Sequence, residues 1–324
     1  MSAVALVSAM LPALAAPAID VLGKDFTFPN RIDGLPAKLS EFKGLQISTF
    51  QTNDGVKLSY WEAGQGEPIV FIPGWSANGA EYINVMYLLS KKYHVYVLDP
   101  RNQGLSQHVD FGNRIARHSA DLKDLVNHLG LKSFDVCGWS MGASIVWGYL
   151  DLYGSQDIRK LVFIDEPISI YAHADWSEQQ RQDAGSITSS TERMVDAFVK
   201  GSPTNTLYVN SQAFQHYLET DSPYFVNSES FAREFIKNDP KQLSLVLFDH
   251  ATADWRDVVQ HKVTVPTAIF TGEYSDSLTA QRWLHSVIPG STLFVYSKVE
   301  QGDHFLAFKN PVKFTADLES FLQH

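Results

Sequence analysis

What this 324-residue chain has little of narrows its class first. It carries one cysteine, Cys137, so no intramolecular disulfide can staple it and the fold must stand on burial. Its 26 Lys and Arg are outnumbered by 36 Asp and Glu, a formal charge of −10. That sign makes a poor nucleic-acid binder, because phosphate contacts need Lys and Arg gathered on one face. No apolar run of about 18 residues or more lies in the body of the chain, which excludes a polytopic membrane protein and argues against an integral span. No Gly-x-Gly-x-x-Gly follows the first buried strand, so a dinucleotide site lacks its glycines. No His-x-x-x-His or Glu-x-x-His spacing sits on a helical stretch, and a lone thiol offers no cluster. Neither a cofactor nor a metal is expected. What remains is an ordinary globular composition, 44% apolar and 19% charged. Its apolar content is high enough to offset chain entropy over one large core or two small ones.

Residues 2–16 (SAVALVSAMLPALAA) carry no charge and end in small residues, Ala13-Leu14-Ala15-Ala16. The stretch resembles the apolar and cleavage regions of a secretory signal, without the basic start such a signal carries. It reads either as a targeting segment or as an N-terminal helix packed on the domain, so secreted and cytoplasmic locations both stay open. Residues 17–45, with Pro17, Pro29, Pro36, Gly23, Gly34 and Gly44, read as an irregular lead-in.

From Gln46 the texture changes. Two alternating runs, Ile47–Thr52 and Val56–Trp61, flank Asn53-Asp54-Gly55 and predict a hairpin. Continuous apolar runs follow at 68–72, 93–98, 133–137 and 160–164, and resume at 266–271 and 292–296. Such runs suit strands buried on both faces of a parallel sheet. Between them, Ile115, Leu122, Leu125, Val126 and Leu129 fall on one helical stripe, and 141–153 and 311–323 are helical in pattern. Alternation of strand and helix predicts an α/β fold with right-handed crossovers. Between 168 and 255 the strand pattern disappears, and the segment is too long for a structureless loop. The organisation expected is a lead-in at 1–45, a core at 46–167 and 256–324, and a helical cap at 168–255.

The chemistry concentrates at Gly138-Trp139-Ser140-Met141-Gly142, between a strand and a helix. A serine on so tight a turn lifts its hydroxyl out of the sheet, and the flanking glycines leave no side chain where strand and helix press together. The N–H of Met141, at the helix start, faces the same space and can stabilise an oxyanion. Serine is a weak nucleophile at its free pKa and needs a base. Of eleven histidines, His304 in Gln301-Gly-Asp-His-Phe305 follows the last apolar strand and precedes the final helix. His94, His118 and His128 read as structural, and Cys137 as a small buried residue.

These motifs, over roughly 46–167 and 256–324, resemble the α/β-hydrolases, close to their esterase, haloperoxidase-like and lactone-hydrolase branches. The resemblance implies a mostly parallel, eight-stranded-type sheet with flanking helices. It places the catalytic histidine at His304 and the second oxyanion donor at the N–H of Trp75, in Ile72-Pro73-Gly74-Trp75. Where the family usually has His, this chain has Pro73. Asp99–Ser106 resembles the loop after the next strand and reads as structural. Most members carry the triad acid three residues past the glycine after the strand matching 267–271, and here that slot holds Ser275. A minority carry it one strand earlier, and Ile158–Asp165 resembles, without gaps, the segment ending in that acid in haloalkane dehalogenases and zearalenone-type lactone hydrolases. Asp165 is therefore favoured, with Asp276, Glu166 and Glu273 left as alternatives. Asp165 also reads as a helix N-cap for the insertion.

The insertion carries Tyr171, Trp176, Phe214, Tyr217, Tyr224, Phe225, Phe231, Phe235 and Trp255. They read as the cap's own core or as walls for an apolar, small-molecule substrate. The expected activity is serine hydrolysis of an ester or lactone. Two alternatives stand beside it: ring opening, cyclisation or lyase work on an epoxide or polyketide, and small-molecule binding without catalysis. A homodimer is left open.

Overall fold

The computed structural model describes residues 15–28, 32–199 and 239–324. Among them nine strands form one sheet: β1 (Ala16–Pro17), β2 (Gln46–Gln51), β3 (Lys57–Ala63), β4 (Glu67–Ile72), β5 (Tyr93–Asp99), β6 (Phe134–Trp139), β7 (Ile158–Ile164), β8 (Thr267–Gly272) and β9 (Thr292–Tyr296). Their spatial order is β1-β2-β3-β5-β4-β6-β7-β8-β9. The β1–β2, β2–β3 and β3–β5 pairs are antiparallel, and every pair from β5–β4 onward is parallel. The hairpin and all six apolar runs form strands where their patterns place them. The parallel strands are apolar throughout because helices cover both faces: Ile69 to Ile72 in β4 are wholly buried.

The lead-in differs from its irregular reading. Ala16 pairs with Ile47 to make β1, and the helix Ala18–Leu22 follows. A two-residue strand therefore lies on the open edge of β2, where unpaired backbone groups would otherwise stay unmatched. It makes nine strands of the eight expected.

Two apolar clusters lie on opposite faces. One joins Phe71, Val97 and Phe270 to the helix Ile83–Leu89 and the final helix Pro311–Gln323. The other joins Val70, Val136 and Phe163 to Ile115–His128 and Met141–Tyr153. Within 168–255 the helices Glu178–Ala184, Thr191–Val199 and Pro240–Thr252 are described, with a bridge between Tyr171 and Thr188. Phe214, Tyr217, Tyr224, Phe225, Phe231 and Phe235 lie outside the described residues, as does the signal-like stretch up to residue 14. Trp176 stacks on His173 at 4.8 Å beneath the Arg256 guanidinium at 4.0 Å, while Trp255 packs toward Trp147. Among the described residues no helix is long and apolar enough to cross a membrane.

Candidate active site

The turn between β6 and Met141–Tyr153 is set by close packing. A Cβ placed on Gly142 would lie 2.0 Å from the Ile72 carbonyl oxygen, so only glycine lets the helix start against the end of β4. That contact throws the turn onto Ser140, whose φ of 53° and ψ of −136° suit glycine better than serine. Its N–H donates to the Ile164 carbonyl at 3.0 Å, and its carbonyl accepts from Ala143 at 2.7 Å. The hydroxyl is left at the sheet's carboxyl edge, half-buried.

Two loops from distant sequence meet it there. The His304 Nε2 lies 3.0 Å from Ser140 Oγ, and Nδ1 lies 2.8 Å from Asp165 Oδ2. Asp165 directly follows β7, is wholly buried, and adopts a φ of 49°. Two further hydroxyls bond its carboxylate: Thr271 Oγ1 donates to Oδ1 at 2.5 Å and Ser275 Oγ donates to Oδ2 at 2.7 Å. Ser275 thus occupies the slot where most α/β-hydrolases carry the acid and lends its hydroxyl to the carboxylate of the neighbouring strand. The other carboxylates considered stand elsewhere. Asp276 and Glu273 are exposed, and Glu273 accepts the Lys298 N–H. Glu166 is buried with its Oε1 3.0 Å from His250 Nε2, close in distance but off the hydrogen-bonding direction.

The histidine loop is held from below. The Trp139 indole N–H, one residue before Ser140, donates to the His304 carbonyl at 2.8 Å. Asp303 accepts the Phe305 N–H at 2.7 Å and pairs with the fully buried Lys309. Burial works against charge on the His304 ring. The hydrogen bond and negative charge of Asp165, followed by the charges of Glu166 and Asp303, outweigh it and hold the imidazole pKa above its ordinary value. The ring is thus a better proton acceptor than a free histidine. Burial pushes the Cys137 thiol well up, in keeping with its packing role.

The loop after β4 also lies against the serine: a Cβ on Gly74 would be 2.9 Å from Ser140 Cβ. Met141 is the first residue of its helix, where an N–H has no intrahelical partner. The Trp75 indole N–H donates to the Leu243 carbonyl on the helix Pro240–Thr252 at 2.8 Å. Gln103, in the loop after β5, anchors this loop by donating to the Gly74 and Ala77 carbonyls. Sequence reasoning gave Gln103 only the structural reading of its loop, and no role to Thr271 or Ser275. Only Ser275 left a signal, a hydroxyl standing where a carboxylate was expected. His94, read as structural, lies 3.0 Å from Glu62 and 2.9 Å from the Tyr96 hydroxyl, away from this site. His118 is buried on Ile115–His128, and His128 stacks on Phe50. Among the described residues no group of three or more His, Cys, Asp or Glu is arranged to hold a metal.

A sequence profile described as "alpha/beta hydrolase fold" matches residues 67–275. A non-heme haloperoxidase from Rhodococcus erythropolis is 31% identical over 113 residues, which is 35% of this chain and only 41% of that protein's length. A pimeloyl-[acyl-carrier protein] methyl ester esterase from Vibrio cholerae is 24% identical over 275 residues, 82% of this chain and 95% of that protein. Among solved structures, an esterase from Exiguobacterium antarcticum superposes with a TM-score of 0.69 at 22% identity, covering 85% of this chain and 99% of that one. With the profile spanning more than half of its residues, the chain belongs to the alpha/beta hydrolase fold family.

Proposed function

We propose that the protein is a serine hydrolase that cleaves a carboxylic ester or lactone of a small, largely apolar substrate through an acyl-enzyme. The observation that carries this reading is the chain of contacts Ser140 Oγ, His304 Nε2, His304 Nδ1, Asp165 Oδ2, at 3.0 Å and 2.8 Å. In this reading Ser140 Oγ attacks the substrate carbonyl carbon while Nε2 takes the hydroxyl proton. Asp165 keeps the proton of Nδ1 in place and stabilises the imidazolium. The N–H groups of Trp75 and Met141 hold the oxyanion, each worth on the order of 3 kcal/mol of barrier. Collapse of the intermediate expels the alkoxide, which takes the proton from Nε2. Water then attacks the acyl carbon, giving its proton to the same nitrogen, and the acid leaves as Ser140 recovers its hydrogen.

Residues 168–255 act in this reading as a cap over the sheet's carboxyl edge. Its supports are Leu243 against Trp75, Gln242 accepting from Asn113 at 2.6 Å, and Asp249 accepting the Ile115 N–H at 2.8 Å. Epoxide opening by a carboxylate nucleophile is disfavoured, because position 140 is serine. The test is labelling with an active-site-directed fluorophosphonate, followed by turnover of p-nitrophenyl esters. A single phosphonylated serine at 140, with ester hydrolysis abolished in step, is expected. An unlabelled chain without turnover would leave a binding protein as the reading.

A further inference from the structure

The loop Asp99–Ser106 reads from sequence as scaffolding, yet one of its side chains reaches the edge of the site. Gln103 is wholly buried, and its Nε2 donates to two carbonyls, Gly74 at 2.9 Å and Ala77 at 2.6 Å. Both belong to one tight turn, in which the Ala77 N–H also reaches the Gly74 carbonyl at 3.2 Å and Ser76 takes a φ of 63°. A trans peptide is planar, with its carbonyl and its N–H pointing in opposite directions. The peptide that carries the Gly74 carbonyl also carries the Trp75 N–H. Whatever grips that oxygen therefore sets where that hydrogen points. Gly74, which begins this peptide, borders Ser140, since a Cβ on it would stand 3.3 Å from the serine Oγ.

We propose that Gln103 is a positioning residue: its amide grips the Gly74 carbonyl and thereby aims the Trp75 N–H at the space above Ser140. The inference rests on the reading of Ser140 as nucleophile and Trp75 as oxyanion donor. The brace is itself rigid. The Gln103 N–H donates to the Pro100 carbonyl at 2.9 Å, and Ser106 Oγ donates to the Asp99 carbonyl at 2.5 Å. The buried Asp99 carboxylate accepts from Gly79 at 2.7 Å, from Leu105 at 2.8 Å and from the Trp61 indole at 3.1 Å, tying both loops together. Without Gln103 the Gly74 carbonyl keeps, among the described residues, only its longer bond to the Ala77 N–H, and the peptide can rock. The oxyanion forms only as the substrate carbonyl is attacked, so the loss falls on the transition state and spares ground-state binding.

Gln103→Met tests this at nearly constant shape. The Gln103 Oε1 has no partner among the described residues, so the change strips only the two donations. Rates are normalised to sites titrated with a fluorophosphonate. The expected result is a kcat lower by roughly 10- to 100-fold with KM within about threefold. A trifluoromethyl ketone, whose serine adduct bears the oxyanion, loses affinity by the same factor, while the matching methyl ketone binds as before. Wild-type kcat, or equal weakening of both ketones, overturns the proposal, since a merely structural role moves both ketones alike. Where Gln103→Met yields no folded protein, Gln103→Asn, one methylene short, carries the same test with the same expected and overturning results. Wild-type protein that neither labels nor turns over esters would overturn the serine-hydrolase reading and this inference with it. That outcome is distinct from an active wild type beside an unaffected Gln103→Met.

Discussion

Replacing Asp165 by Asn separates the four carboxylates that the sequence allows. Asp165 is wholly buried, its Oδ2 lies 2.8 Å from His304 Nδ1, and the Thr271 and Ser275 hydroxyls already donate to it. Asparagine keeps the shape but loses the charge that stabilises the imidazolium. Two unit charges about 4 Å apart attract by about 4 kcal/mol at an effective dielectric near 20. At 1.36 kcal/mol per tenfold, that is a loss on the order of a thousandfold in kcat. Asparagine can also turn its amide toward Nδ1, which would force the proton onto Nε2 and deepen the loss. The pH profile adds an independent sign. Asp165 is the main cause holding the His304 pKa above its ordinary value, so residual activity of Asp165→Asn should show its acidic limb at lower pH than wild type. The assay is p-nitrophenyl ester hydrolysis across pH, normalised by fluorophosphonate titration, with Asp276→Asn as the exposed control. Asp165→Asn within tenfold of wild type, or an equal loss in Asp276→Asn, would refute the reasoning.

Three further outcomes follow from the same geometry. Ser140→Gly should abolish hydrolysis yet raise stability by about 1 kcal/mol, because glycine relieves the backbone at φ 53°; a thermal melt that falls would contradict this. Gly142→Ala should cost several kcal/mol in chemical denaturation, since its Cβ would sit 2.0 Å from the Ile72 oxygen and backbone must move on both sides. Lys309→Met should destabilise by about 3–5 kcal/mol, because it removes the buried positive charge facing the Asp303 carboxylate; a melt unchanged from wild type would show that the pair contributes nothing.

The sheet was legible because its parallel strands are continuous apolar runs. Their burial on both faces is written into each residue independently of its neighbours in space. Ser140 was legible for a related reason: strand, Gly-x-Ser-x-Gly and helix are local, and the packing of Gly142 on Ile72 follows from them. His304 could be placed by chain order after the last strand. The carboxylate beside His304 was harder. Which of Asp165, Glu166, Glu273 and Asp276 faces the imidazole depends on how two neighbouring strand ends sit relative to a loop 139 residues further on, which no local pattern encodes. Gln103 was invisible for the same reason: its partners are carbonyl oxygens, identical in every residue type. β1 escaped notice because two residues carry no periodicity.

The register of β6 and β7 has a consequence for how this chain tolerates change. Trp139 pairs with Ile164, and the Ser140 N–H continues the ladder onto Ile164, so hydroxyl and carboxylate are each carried one step past adjoining rungs. Their spacing is fixed by a main-chain lattice laid down before residue 168. Grafts, deletions or drift between residues 168 and 255 leave those rungs, and this half of the constellation, in place. The imidazole, and the Thr271 and Ser275 hydroxyls that hold the carboxylate, arrive from later in the chain and must find their way back.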